Sequence, residues 1–263
     1  MKSFTQINSS ASNYSGVRPS INYGNVIDQK RYIYALNYIN GKKVLDCATG
    51  IGWGAFLMAN AGAQSVMGID ISSNAIRDAI EFYPHNKILY KVASPDELIL
   101  EYHFDVITCF ETIEHVDDAL KFLSSLHNLA HKETVFLLST PNEYCTGVIN
   151  GLPANPYHAK EFTKTELLKL IEDSGWKVDA YLGQHILKRD SPKVLQYRKF
   201  NKNYWRSYKL TKKIGFLFKV FSRLKNYIIP AKIDPVLFEC TPLECDELHE
   251  PVYHYFKLSI KNS

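Results

Sequence analysis

From residue 30 to about residue 190 the chain alternates short apolar runs with amphipathic stretches of helical period, and this alternation restricts the fold more than any other feature. RYIYALNYI reads as a helix, KKVLDCATG as a short buried strand ending in a glycine-containing loop, and GAFLMANAG as a helix stopped by Gly62. SVMGIDIS follows as a strand, NAIRDAIEFY as a helix capped by Ser72 or Ser73, and KILYKVAS as a strand. FDVITCF, TVFLLSTPN and WKVDAYLGQ are further strands, with helices at VDDALKFLSSLHNLA and TKTELLKLIEDSG. Strands separated by helices of this length pair in parallel, so the expected class is α/β: a doubly wound, Rossmann-like, mostly parallel sheet with helices on both faces.

The alternation divides the chain. Residues 1–30, rich in Ser, Asn and Tyr, read as an N-terminal arm, mobile or ordered by substrate, and residues 31–190 as the folded domain. Residues 191–263 form a basic, aromatic C-terminal extension, related to the acceptor or packed on the core. Between 191 and 233 there are twelve Lys or Arg and no Asp or Glu, and six acids follow between Asp234 and Glu250. A block of this kind suits an anionic partner: a phosphorylated or acidic glycan, a nucleotide-linked sugar, an anionic membrane surface or, ranked below these, RNA. The six acids could instead pair with it inside the fold. The apolar residues of IGFLFKVFSRLKNYII occupy most of a helix circumference, as core or interface packing also requires. Tyr204, Trp205 and Tyr208 either stack sugars or bases or pack on the sheet. A formal net charge of +4 does not by itself announce a nucleic-acid binder. Five cysteines, two of them inside apolar strand-like runs, favour a reducing compartment. With no apolar leader after Met1 and no run of eighteen apolar residues, the expected location is the cytoplasm, with peripheral contact at the inner membrane face as an option.

The loop after the first strand carries the first functional signal. In VLDCATGIGWGA, Asp46 ends the strand, Gly50, Gly52 and Gly54 follow, and a second acid, Asp70, ends the next strand. Such a turn binds a nucleotide at the switch point of the sheet. A dinucleotide brings an anionic pyrophosphate and favours G-x-G-x-x-G, but here the third glycine comes one residue early and a carboxylate stands at the loop entrance. An acid there suits a cationic ligand, and S-adenosylmethionine brings a sulfonium, an ammonium and a ribose diol. Over residues 31–184 the chain resembles the class I S-adenosylmethionine-dependent methyltransferases. The resemblance implies Asp46 near the methionine end, backbone approach at Gly50 and Gly52, Asp70 on the ribose hydroxyls, and Ala93 and Ser94 bordering adenine. Ile71 and Phe110 join this cofactor-binding set. Ala48 stands where the family has its first glycine. Arg31, just before the first helix, either reaches the cofactor carboxylate or is a surface arginine.

FETIEH is the second signal. If a helical turn begins at Glu111, then Glu111, Glu114 and His115 fall at i, i+3 and i+4 and share a face. Three readings stay open. His115 is a general base for an acceptor hydroxyl; the two acids and the imidazole hold a divalent metal ion; or the acids only complement a helix N-terminus. A long loop with Pro153, Pro156, His158 and Glu161 follows the fifth strand, ahead of a helix capped by Thr163 or Thr165, and by topology overhangs the same end of the sheet. His115, Glu111 and His158 are therefore the catalytic candidates, and Glu111, Glu114, His115 and His158 the metal candidates.

The combination of RY at 31–32, FETIEHV, STPN and NPYHAKEFT resembles a bacterial branch of these methyltransferases associated with surface-polysaccharide and glycan modification. That resemblance implies O-methylation of a sugar or phosphorus-linked substituent of a capsule, O-antigen or precursor, with a glycan, nucleotide-sugar or phosphorylated small molecule as acceptor. The set Glu111, Glu114, His115 and His158 is also similar to the metal-binding set of the small-RNA 3′-terminal 2′-O-methyltransferases, but the chain has no evident RNA-recognition segment. Competing readings are methylation of RNA or of a small lipophilic molecule, a dinucleotide-dependent oxidoreductase, and a module that binds S-adenosylmethionine or nucleic acid without catalysis.

Overall fold

A computed structural model describes residues 24–213, 243–244 and 248–261. Helix α1 (Gly24–Ala35) leads to β1 (Lys43–Cys47), α2 (Trp53–Asn60), β2 (Ser65–Asp70), α3 (Ser73–Phe82), β3 (Ile88–Val92) and β4 (Phe104–Phe110). Then come α4 (Ala119–His127), β5 (Ala130–Pro141), the one-turn α5 (Glu143–Thr146) and a hairpin of β6 (Val148–Ile149) and β7 (Leu152–Pro153). Helix α6 (Lys164–Asp173), β8 (Trp176–Lys188), α7 (Pro192–Lys213), β9 (Leu243–Glu244) and β10 (His249–Ile260) complete the described chain.

The strands form one sheet in the order β3-β2-β1-β4-β5-β10-β8-β9. Strands β1 to β5 pair in parallel, and β10 runs antiparallel between β5 and β8. The central strands are buried on both faces, as their continuous apolar runs require. One face carries the larger core, where Leu45, Ile107, Phe136 and Phe256 pack with Leu123, Leu167 and Trp176. On the other, α1 and α2 cover Val44, Val66 and Val106 with Ile39, Ala55 and Met58.

Caps set where the helices begin. Ser72 Oγ accepts from Ala75 N, and Thr163 forms a capping box with Glu166, settling both pairs of alternatives in favour of the first residue. Two boundaries differ from expectation. Helix α1 starts at Gly24, inside the segment read as an arm. The sheet itself crosses residue 190, because β10 supplies one of its inner strands; the pairing that inserts β10 is long-range and has no local sequence signal. The amphipathic stretch IGFLFKVFSRLKNYII and the side chain of Tyr208 lie outside the described residues. Among the described residues no helix is long and apolar enough to cross a membrane.

Candidate active site

The parallel strands β1 to β5 end on one side of the sheet, where Asp46, Asp70 and Phe110 close their strands and Ala93 follows β3. Asp46 is 1% exposed rather than open at the loop entrance. Its carboxylate accepts from Thr49 Oγ1 (2.6 Å), Thr108 Oγ1 (2.7 Å) and Tyr32 Oη (3.0 Å), tying the loop to β4 and to α1. Burial raises its pKa, and the three hydroxyl donors oppose that rise. Ala48 holds a left-handed φ of 59°, a conformation glycine would adopt without a Cβ clash. Gly54 is required by packing, since a Cβ there would lie 2.1 Å from the Tyr32 ring.

Gly50 and Asp70 are the more open members of this group. Gly50 has φ 56° with nothing within 4 Å of where a Cβ would sit. Asp70 accepts from Gly50 N at 3.0 Å and from Ser72 N at 2.8 Å, which leaves lone pairs on both oxygens for further donors. Burial raises its pKa against those two backbone donors. Ile71, next along, is 80% exposed, an apolar surface beside the Asp70 carboxylate. Ala93 is buried, and Ser94 caps a short 3₁₀ turn, Pro95–Glu97, with its N–H donating to Glu97. Gly52 (φ 82°) turns the chain into α2, and the half-buried Phe110 packs edge-on to Tyr32. A carboxylate with spare lone pairs, an open glycine and an exposed apolar residue fit a nucleoside with a free diol.

At the exit of β4 the structure corrects the expected shared face. Glu111 takes a left-handed φ of 52° and begins no helical turn; only Ile113–His115 form one, of 3₁₀ type. Glu111 instead accepts from Ser139 Oγ at 3.0 Å and lies 3.2 Å from Arg31 Nη2. Arg31 is not a surface arginine: it is 1% exposed, its Nε donates to Gln184 at 2.6 Å, and its guanidinium lies 4.7 Å over the Tyr253 ring. Glu114 points inward and accepts from Thr140 Oγ1 at 2.9 Å; burial, then the charge of Glu111, pushes its carboxyl well above the usual range.

Of the four metal candidates the structure brings together Glu114, His115 and His158, and Glu111 stays with Arg31 and Ser139. Ligand atoms of Glu114, His115 and His158 lie within 4.8 Å of one another, and the two imidazoles meet edge-on with centroids 4.8 Å apart. His115 Nδ1 is 2.9 Å from the Tyr157 carbonyl, which can only accept, so its Nε2 carries the lone pair. Burial lowers the His115 pKa, favouring the neutral ring. The loop is docked onto this turn through Ala159 N and Lys160 N, both donating to Glu114 O.

Helix α7 supports the loop from outside. Arg198 donates to Tyr144 O, Asn201 donates to Thr146 O at 2.9 Å, and the buried Trp205 packs edge-on to Tyr157. Trp205 is thus a packing residue. Of the six acids beyond the basic block, Glu250 pairs with Arg189 and Asn142. The sequence reading gave no role to Thr108, whose partner Asp46 is 62 residues away, to Tyr157, which acts through its carbonyl, or to Asn155 and Glu161, each three residues from His158.

A sequence model described as a methyltransferase domain matches residues 28–181. A probable S-adenosylmethionine-dependent methyltransferase of Mycolicibacterium smegmatis is 33% identical over 147 residues, 54% of this chain and 55% of the relative. A ubiquinone biosynthesis O-methyltransferase of Haemophilus ducreyi is 32% identical over 168 residues, 57% of this chain and 71% of that protein. The chain spans about half the length of the mycobacterial relatives it matches. Among solved structures, an S-adenosylmethionine-dependent methyltransferase from Mesorhizobium loti shares the fold with a TM-score of 0.55 at 16% identity, over 89% of this chain and 99% of that one.

Proposed function

We propose, for a chain that belongs to the methyltransferase-domain family and takes its methyl group from S-adenosylmethionine, that it methylates a hydroxyl of a small acceptor with His115 as general base. The observation that carries this reading is the His115–Tyr157 hydrogen bond, which holds Nδ1 as a donor and leaves a neutral Nε2 to take a proton. In this reading Asp70 holds the ribose hydroxyls, Gly50 lets the backbone approach, and Ile71, Ala93 and Ser94 border the base. Arg31, Asp46, Ala48, Gly52 and Phe110 complete the wall. S-adenosylmethionine supplies an electrophilic methyl on an already activated sulfonium, so most of the acceleration comes from orientation. The loop at 142–163 orients the acceptor, and His115 Nε2 receives the hydroxyl proton as the oxygen is methylated.

The acceptor we propose is a sugar hydroxyl or phosphorus-linked substituent of a surface glycan, its nucleotide-sugar precursor or a phosphorylated small molecule, used in the cytoplasm. Its support is the wording of FETIEHV, STPN and NPYHAKEFT, together with the basic helix α7 beside the loop. A second reading has one observation in its favour: Glu114, His115 and His158 converge as a divalent-metal site would require. The test is transfer of labelled methyl from S-adenosylmethionine into separated nucleotide-sugar, glycan, RNA and lipid fractions, with and without a chelator. Label in the sugar fractions, insensitive to chelator, supports the proposal. Label only in a lipid or quinone fraction overturns the acceptor, and chelator sensitivity favours the metal reading.

A further inference from the structure

Glu161 has no part in the reaction outlined above, yet its carboxylate is buried, at 2% exposure, on the same loop as His158. Burying a carboxylate is costly unless hydrogen bonds satisfy it. Here Oε1 is 2.6 Å from His158 Nδ1, and Oε2 accepts from Thr146 Oγ1 on α5.

The direction of each bond around His158 follows from its partners. An ionised carboxylate only accepts, so His158 Nδ1 carries the proton and Nε2 the lone pair. Asn155 Oδ1 accepts from Tyr157 N at 3.1 Å, which turns Asn155 Nδ2 toward His158 Nε2 at 2.6 Å as a donor. Thr146, Glu161, His158 and Asn155 therefore form one hydrogen-bonded chain in which donation runs from Asn155 through His158, and from Thr146, into the Glu161 carboxylate. It ends at Tyr157, whose carbonyl accepts from His115 Nδ1 at 2.9 Å. Both imidazoles thus hang from the single turn at 155–158, and they stand edge-on, with an interplanar angle of 86°.

We infer that Glu161 is a positioning residue: it fixes His158 as the Nδ1–H tautomer and, through the 155–158 turn, sets the orientation of His115 on the acceptor side. If His158 adopts the Nε2–H form, that proton faces the Asn155 amide donor to donor. The turn opens, and the Tyr157 carbonyl leaves His115. The inference rests on the proposed role of His115.

The test uses the full chain labelled with ¹⁵N-histidine, in wild type, Glu161→Gln, Thr146→Val, His158→Gln and the Glu161→Gln/His158→Gln double variant. Ring ¹⁵N shifts report the tautomer, and kcat and the Kd for S-adenosylmethionine are measured alongside. In wild type, His158 should read as Nδ1–H. Glu161→Gln, which keeps size and shape but replaces the carboxylate by a weaker amide acceptor, should shift the His158 ring away from the pure Nδ1–H signature and lower kcat on the order of tenfold, with the Kd unchanged. In the His158→Gln background the same substitution should cost nothing further. Thr146→Val keeps the carboxylate and should lower kcat less, in the same direction; it carries the test if Glu161→Gln does not fold. An Nε2–H signature in wild type overturns the inference, as does an unchanged tautomer and kcat in the folded variants, or an undiminished cost in the double variant. The tautomer is read without turnover. A chain that shows the expected tautomer but whose His115 variant turns over normally contradicts the proposed function and leaves the Glu161–His158 geometry standing.

Discussion

The guanidinium of Arg31 lies 3.2 Å from the carboxylate of Glu111, joining the first helix to the exit of β4 across the mouth of the site. Arg31 is 1% exposed and also donates to Gln184, so two elements distant along the chain depend on one side chain. Arg31→Leu removes the guanidinium that pairs with Glu111 and the Nε donor to Gln184. Stability should fall by about 3 kcal/mol, read by urea denaturation. Arg31→Lys, a point charge without the fork, should recover only part of it; an unchanged midpoint in Arg31→Leu would show that the pair does not hold α1.

Asp70 is expected to act on the donor and not on the fold. Its two backbone bonds are local, to Gly50 and Ser72, one to each carboxylate oxygen, and leave lone pairs for further donors. Asp70→Ala should weaken S-adenosylmethionine binding by about one to two orders of magnitude, the loss of one or two hydrogen bonds to a charged group. Titration calorimetry measures this directly, with the circular dichroism spectrum unaltered. Equal affinity in the variant contradicts the assignment.

Ala48 sits at φ 59°, where a Cβ is strained. Ala48→Gly should relieve that strain and raise stability, partly offset by the added freedom of the unfolded chain, for a net gain of about 0.5 kcal/mol. A loss of stability in thermal melts would mean that the Ala48 methyl makes a contact worth more than the strain.

The other end of the 142–163 loop is held by a buried histidine whose charging burial opposes. His254 is fully buried, with Nδ1 2.9 Å from Tyr181 Oη and Nε2 3.2 Å from the Phe162 carbonyl. Burial holds its pKa down at about 3, below the ordinary 6.5. The unfolded chain therefore binds a proton that the folded one refuses. His254 contributes fully above about pH 6.5, and its contribution falls as the pH drops toward 3, by up to about 1.4 kcal/mol per pH unit. His185, lowered to about 4, adds to the same slope. Denaturation across this range should be about one proton less steep in His254→Gln; an identical slope would show that His254 does not link folding to pH.

Apart from the short α5 and the β6–β7 hairpin, which the sequence shows only as loop, the order of strands and helices through β8 was legible in the sequence because period and end signals agreed. Buried runs such as VLDC and VITC read as strands, and Ser72 and Thr163 mark the helix starts they cap. The position of β10 was not legible, since an inner antiparallel strand is chosen by pairing with β5 and β8, far away in sequence. Within the site, the ends of β1, β2 and β4 were placed by topology alone. The roles of Glu111 and Arg31 depended on more. A left-handed φ at a glutamate has no sequence signature, and the burial of Arg31 is decided by Gln184, 153 residues on. His158 was legible as a loop residue, but its approach to His115 depends on the 155–158 turn.

The central claim is tested most directly by single-turnover methyl transfer in His115→Gln, alongside its Kd for S-adenosylmethionine. Loss of a general base from an otherwise intact site should slow transfer by roughly 10²–10⁴ while donor affinity stays the same. Transfer at the wild-type rate would contradict the account, because the imidazole held by Tyr157 would then take no proton from the acceptor.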